Sequence, residues 1–302
     1  PGTKIEYFVT ANFICTPTSL HERQKVLFFA SVVGSNKTSL VYSWDLGNGA
    51  MPSGADQQVV TNTYGPGLYP VSLLVQNGIG ETSSVVKAGY IRVTTAATTY
   101  FSSGGSQTPP YTNWARASTN VQEAIDESTT LVLAAPGSYG LMSQVNLNKP
   151  VTVRSVNGAA TTRLRRTSGT IRIVSMTDSN AVLDGFTLAD GNMGTGVGGG
   201  LNMTGGTVQN CVISNNAAES GSGVYISGGT LQASVICRNG TASGFYGGGG
   251  IYIAGPCKIR SCLITANAAT HRGGAVMVFS AVAELDNCTI VGNSAGWSGG
   301  GI

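Results

Sequence analysis

Residues 208–224 read Val208-Gln209-Asn210-Cys211-Val212-Ile213-Ser214-Asn215-Asn216-Ala217-Ala218-Glu219-Ser220-Gly221-Ser222-Gly223-Val224. The order is an aliphatic residue, two spacers, a buried-type residue, one spacer, a second aliphatic, two spacers and Asn. A glycine-rich element ending in Gly and an apolar residue then follows. The same register starts again at Leu183, Leu231, Ile259 and Leu285, at intervals of 23 to 28 residues. That period is too long for a hairpin meander and suits one coil of a parallel β-helix, whose strands stack on those of the next coil at about 4.8 Å. The aliphatics then form interior columns. The Asn column, Asn216, Asn239, Asn267 and Asn293 with Gly191 at its head, fits an amide ladder at a sharp bend where the backbone turns left-handed. Counting back to Leu131 predicts about seven coils.

This repeat accounts for an odd composition. The chain has 302 residues with 43 Gly and 10% charged side chains, against roughly 7% Gly and about 25% charged in typical domains. Of those glycines, 27 lie from Gly185 onward. A 41% hydrophobic content argues against charge-driven disorder. The formal net charge of +3 is small, and no basic run marks a nucleic-acid partner. Val26 to Val33 is the longest near-continuous apolar stretch, too short to span a membrane. A start at Pro1-Gly2 and a stop inside the repeat read as a piece of a longer polypeptide.

Residues 13–95 follow different rules. Short β-rich runs such as Val26–Val32, Leu40–Trp44 and Tyr69–Val75 alternate with turn signals, the pattern of an antiparallel sandwich. Tyr42-Ser43-Trp44-Asp45-Leu46-Gly47-Asn48-Gly49 and Tyr64-Gly65-Pro66-Gly67-Leu68-Tyr69-Pro70-Val71-Ser72-Leu73-Leu74-Val75-Gln76-Asn77 resemble the two motifs of PKD domains. The resemblance implies an immunoglobulin-like extracellular spacer or weak binding module without catalysis. Leu46 and Asn48 depart from the family's Phe and Asp, and an amide at 48 argues against calcium there. Trp44 is expected in the sandwich core and Asp45 organising the turn.

Residues 1–12 read as a leading segment and 96–118, rich in Thr, Ser and Gly, as a linker. Asn120 to Asp126 is the one convincing helix, with Asn120 as N-cap, Glu123 at the capping-box position and Val121, Ala124 and Ile125 on one apolar face. It resembles the N-terminal cap of right-handed parallel β-helices. Residues 119–302 are therefore expected to be that cap and the solenoid. The repeats resemble those of polymorphic outer-membrane proteins and, more loosely, pectin-lyase-like enzymes. The expected fold is all-β: an immunoglobulin-like sandwich, then a right-handed parallel β-helix.

Cys211, Cys262 and Cys288 occupy one interior column, with Ser234 as the missing rung, and a reduced stack is favoured over a Cys262–Cys288 disulfide because stacked side chains suit the dihedral poorly. No C-x-x-C spacing suggests zinc, and no cofactor is expected. Between Ser128 and Thr177 there are six basic residues and no acidic one. Arg163, Arg165, Arg166 and Arg172 are the candidate binding residues, for an anionic glycan. Arg163 and Arg165 flank the inward Leu164 and should project together.

Catalysis would need paired carboxylates or a base with a cation. Asp184 and Asp286 share a register position about four coils, roughly 19 Å, apart, too far to act together. His271 and Arg272 are the one candidate base and cation. The leading expectation is a non-enzymatic, secreted or cell-surface bacterial protein, a structural or adhesive stalk whose partners are surface or matrix glycans or other surface proteins. A polysaccharide lyase or hydrolase on the same scaffold is the alternative. A filament or surface-layer subunit, self-associating through solenoid ends, is a third.

Overall fold

A computed structural model describes residues 8–302 apart from 18, 22–24, 36, 242–246 and 280. The chain forms two units that meet in sequence between Thr95 and Ala96.

In the first unit, a three-stranded antiparallel sheet of Val9–Thr16, Lys25–Gly34 and Val59–Thr63 faces a five-stranded sheet. The latter runs in the order Ser19–His21, Thr82–Thr94, Gly67–Gln76, Val41–Asp45, Ser53–Gly54. Alternation places Phe13, Phe28, Trp44, Leu73 and Val75 inside. Trp44 meets Phe13 edge-on at 5.3 Å, and its indole N–H donates to Gln57 O at 2.8 Å. Asp45 Oδ1 accepts from Gly47 N at 2.9 Å, so the carboxylate shapes the turn. Tyr64 donates from its buried hydroxyl to Leu46 O at 2.9 Å. The sandwich begins earlier than expected: Val9 and Ala11, assigned from sequence to the leading segment, are buried core residues of the first strand. The first seven residues of that leading segment lie outside the described ones.

The second unit is a parallel β-solenoid of about six turns. Three sheets of eight, seven and six strands run along it, and a fourth of four two-residue strands marks a corner. Seven rungs run from Ser128–Ala134 to Ala283–Asp286 in the first sheet. Seven rungs enclose six turns, which is why the count of seven coils falls by one. Register is unbroken: Leu183 pairs with Val208, Val208 with Leu231, Leu231 with Ile259 and Ile259 with Leu285. Leu188, Ile213, Ile236, Ile264 and Ile290 stack likewise in the second sheet. Leu285 and Ile290 in the last rungs are partly buried, and each of the other side chains, fully buried, contributes roughly 1.5–3 kcal/mol relative to exposure.

The segment 96–118 is a linker only in composition. Ala96–Phe101 pairs in parallel with Ser128–Ala134 as an extra strand of the first sheet. Val121–Glu127 is the capping helix; Val121, Ala124 and Ile125 close the core, and Asn120 accepts from Gln122 N at 2.9 Å. The capping box does not form. Ser118 Oγ accepts from Asn120 N, and Glu123 Oε2 instead receives Tyr111 Oη–H at 3.1 Å.

Three positions per turn are left-handed. The first is held by Gly185, Asn210, Ala233, Ser261 and Asn287, the second by Asp190, Asn215, Arg238, Ala266 and Gly292, and the third by Gly198, Gly221, Gly248, Gly273 and Gly299. The second set directly precedes the ladder column, so the bend falls one residue before the asparagines and not on them. Glycines at Gly200, Gly223 and Gly250 make room for the ladder: a Cβ at Gly223 would stand 2.9 Å from Asn239 Nδ2.

Candidate functional site

The strand Thr162–Arg166 turns Thr162 and Leu164 into the core and presents Arg163 and Arg165 outward, as the flanking of Leu164 requires. Arg165 is exposed, and its rung neighbours in the sheet are Gly140 and Ala189. It has no hydrogen bond or ion pair among the described residues. Arg163 Nη2 pairs with Asp190 Oδ2 at 2.8 Å, the two side chains being 39% and 35% exposed. Such a half-exposed pair contributes about 0–1 kcal/mol. Arg166 Nε donates to Asp190 O at 2.7 Å and Nη1 to Gly169 O at 3.0 Å. Arg163 and Arg166 of this strand thus converge on Asp190, and Arg165 is the exposed cation between them in sequence.

Arg172 is placed differently. It stands beyond the following turn, half-buried, with Nη2 donating to Val197 O at 3.1 Å. Burial pushes its guanidinium pKa down. On the first sheet Arg154 Nε meets Asp184 Oδ2 at 3.0 Å. Burial raises the Asp184 carboxyl, but hydrogen bonds from Asn210, Gln209 and Arg154 outweigh it and leave the pKa lowered.

Those carboxylates are tied laterally across coils. Asp184 also receives Asn210 Nδ2 at 2.8 Å, and Glu284 pairs with Arg260 at 2.7 Å. Asp184 and Asp286 share a column interrupted by Gln209, Gln232 and Arg260. His271 lies in the last coils, edge-on to Trp297 at 4.6 Å with Nδ1 3.1 Å from Thr270 Oγ1. Arg272 follows in a parallel bridge with Ser298, its carbonyl accepting from Gly248 N. His271 and Arg272 stand side by side at one corner, with Trp297 as the ring contact of His271.

An exterior aromatic stack escaped the sequence reading. Tyr225 and Tyr252 share a rung in the third sheet, their rings 5.4 Å apart and 5° from parallel, and Phe279 continues the stack at 6.2 Å. The signal was available, since both tyrosines stand one residue past the Gly-aliphatic element. Stacking closes the shared ring faces against each other, and Tyr252 is only 6% exposed. A sugar platform needs an open face, so the stack is a structural seam.

The six cysteines are free thiols, and Cys211, Cys262 and Cys288 line the expected column beside Ser234. Ser234 Oγ accepts from Cys211 N at 3.1 Å and donates to Gln232 O at 2.7 Å. Burial pushes the Cys211 thiol up to about 12 and the Cys262 thiol up to about 11.

Fold and surface together define an immunoglobulin-like sandwich module followed by a parallel β-solenoid. The sandwich is a PKD domain: residues 9–89 match that family's model, described as "PKD domain". No curated protein matches the chain. A solved structure described as "Structural basis for the promiscuous specificity of the carbohydrate-binding modules from the beta-sandwich super family" is similar at 25% identity, over 29% of this chain and 36% of that chain, with a TM-score of 0.26. The chain spans about a third of the length of that structure. The looser likeness of the repeats to pectin-lyase-like enzymes gains no support from these matches. PKD domains typically occur in extracellular proteins, and among the described residues no helix is long and apolar enough to cross a membrane.

Proposed function

We propose that this chain is a non-enzymatic, secreted or cell-surface protein in which a PKD module accompanies a solenoid stalk of structural or adhesive role. Its glycan contact is the arginine face of the early coils, with Arg165 as the leading residue, Arg163 and Arg166 beside it and Arg172 at the adjoining turn. The observation that carries the reading is the exposed, unpaired Arg165 on a strand whose other arginines are held in place by Asp190. Fixed guanidinium groups at strand spacing suit the carboxylate or sulfate groups of an acidic polysaccharide, because each offers a planar donor fork. Partners would be anionic glycans of a surface or matrix.

Binding of the full chain to immobilised heparin and to polygalacturonate tests this. Retention should fall with added salt, as expected for exposed charges, and Arg165→Ala should weaken it at least fivefold while Arg154→Ala changes it less than twofold. Equal retention of the wild type and Arg165→Ala would refute the assignment of this face. Release of unsaturated or reducing sugars, lost in His271→Ala, would refute the non-enzymatic reading.

A further inference from the structure

At the N-terminal end of the solenoid, the first and third sheets are finished and the second is not. The first gains the extra strand Ala96–Phe101. The third ends on Val145–Leu147, where Gln122 Oε1 accepts from Asn146 N at 2.7 Å and Gln122 Nε2 donates to Asn146 O at 3.3 Å. A side-chain amide there replaces a strand. The second sheet ends on Gly137–Leu141, with Thr162–Arg166 along one edge only.

In a parallel strand the N–H and C=O of one residue point to the same side, and the side alternates along the chain. Gly137 N donates to Thr161 O and Leu141 O accepts from Thr167 N, so the odd-numbered residues face the next coil. Ser138 and Gly140 therefore turn their backbone groups to the open edge, where none has a partner among the described residues. A cavity of about 460 Å³ lies against this edge, between Ser138, Gly140 and Met142 on one side and Phe101, Thr119 and Val121 on the other. No charged residue lines it.

We propose that this edge takes an extended peptide segment as an eighth strand of the second sheet, pairing with Ser138 and Gly140 and turning an apolar residue toward Phe101 and Val121. Two donor and acceptor sets two residues apart along an edge match a polypeptide backbone, whose own groups on one edge repeat with the same period. The uncharged lining selects apolar and hydroxyl side chains. The added strand continues a sheet already built of parallel rungs, in the place of the strand that the 102–120 segment omits. An unpaired edge of this kind is a template for pairing.

The probe is the acetylated, amidated peptide Thr-Thr-Leu-Thr-Thr, compared with the same peptide N-methylated at every residue, which leaves neither strand edge able to pair. Both are titrated into the full chain, with amide hydrogen exchange read at Ser138 and Gly140. The unmodified peptide should slow exchange at both amides at least tenfold at saturation, and the N-methylated one should leave them unchanged. Ser138→Pro, which removes one open-edge donor, should weaken binding at least tenfold. Comparing the two peptides on wild-type protein keeps the test independent of how that variant folds. Equal binding of both peptides, no binding of either, or protection by uncharged cellohexaose in place of peptide would each overturn the proposal.

Discussion

Asn239 gives both its backbone N–H and its side-chain Nδ2–H to the single Oδ1 of Asn267, at 3.0 and 2.9 Å. Asn216 does the same to Asn239 at 3.0 and 3.0 Å, and Asn267 to Asn293 at 2.9 and 3.0 Å. The second hydrogen of Asn239 Nδ2 reaches back to Ile213 O at 2.9 Å. A side chain only 1% exposed is thereby satisfied at every polar atom.

Replacing Asn239 with Ala leaves the Asn216 backbone N–H buried without an acceptor, and takes one of two hydrogen bonds from Asn216 Nδ2, which keeps Leu188 O, and the side-chain donor from the Ile213 carbonyl. At about 1–3 kcal/mol for an unsatisfied group, with the two other lost bonds added, a loss of about 3 kcal/mol is expected. Urea unfolding of the full chain, followed by the solenoid transition, checks the value. Asn239→Asp keeps the acceptor and loses the donor while ionised. It should be more destabilising at neutral pH than in mild acid, where the protonated carboxyl can donate again.

The corners allow substitutions in opposite directions. Ala233 holds φ 46° at a position that Gly185 and Asn210 occupy in other coils. A left-handed non-glycine costs roughly 1–2 kcal/mol, and glycine gives back about 0.4–1 kcal/mol through the unfolded chain. Ala233→Gly should therefore stabilise by about 0.5 kcal/mol. Gly248 lies at φ 73°, and a Cβ there would stand 2.7 Å from Ile251 O and 3.0 Å from Tyr252 Cβ. Gly248→Ala should cost about 2–4 kcal/mol, combining backbone strain with overpacking. Thermal midpoints of the two variants should move in opposite directions, and a common sign would contradict the register.

Buried thiols make the solenoid sensitive to alkali. Burial raises the Cys211 thiol from 9.0 to about 12 and the Cys262 and Cys257 thiols to about 11. Above pH 9 the unfolded chain releases protons that the folded chain retains, so stability is complete below that pH and falls as pH rises toward 12. Midpoints measured from pH 8 to 11 should decline, and Cys211→Ser should reduce the slope. The same variant should fold, because Ser234 already fills an equivalent rung at 2% exposure. Iodoacetamide at pH 8 should leave Cys211 and Cys262 unmodified in the folded chain.

The interior columns were legible because burial imposes one residue class at one spacing: Leu188, Ile213, Ile236, Ile264 and Ile290 announce themselves. The ladder asparagines were legible for the same reason. The left-handed corner was misplaced because backbone geometry there is imposed by the turn, and Arg238 and Ala266 carry no turn signature. Ala96–Phe101 was hidden by its Ala and Thr content, which reads as linker until a parallel partner is available. The arginine run between Ser128 and Thr177 looked uncompensated along the chain. In the solenoid, Asp184 and Asp190 arrive from the next coil to pair with Arg154 and Arg163. Neighbours across coils stand about 4.8 Å apart while lying some two dozen residues apart in sequence, so linear charge bookkeeping fails here.

A polypeptide whose later turns, from Gly191 to Asn293, meet through the same amide is a ruler. Inserting another copy of a 23–28-residue unit would lengthen it by about 4.8 Å. The joint would need no new chemistry, since any ladder Asn offers its Oδ1 to the same pair of hydrogens. Nearest-neighbour construction of this kind lets duplication and deletion act as neutral edits. Reach, more than shape, is the trait such a gene can change most readily.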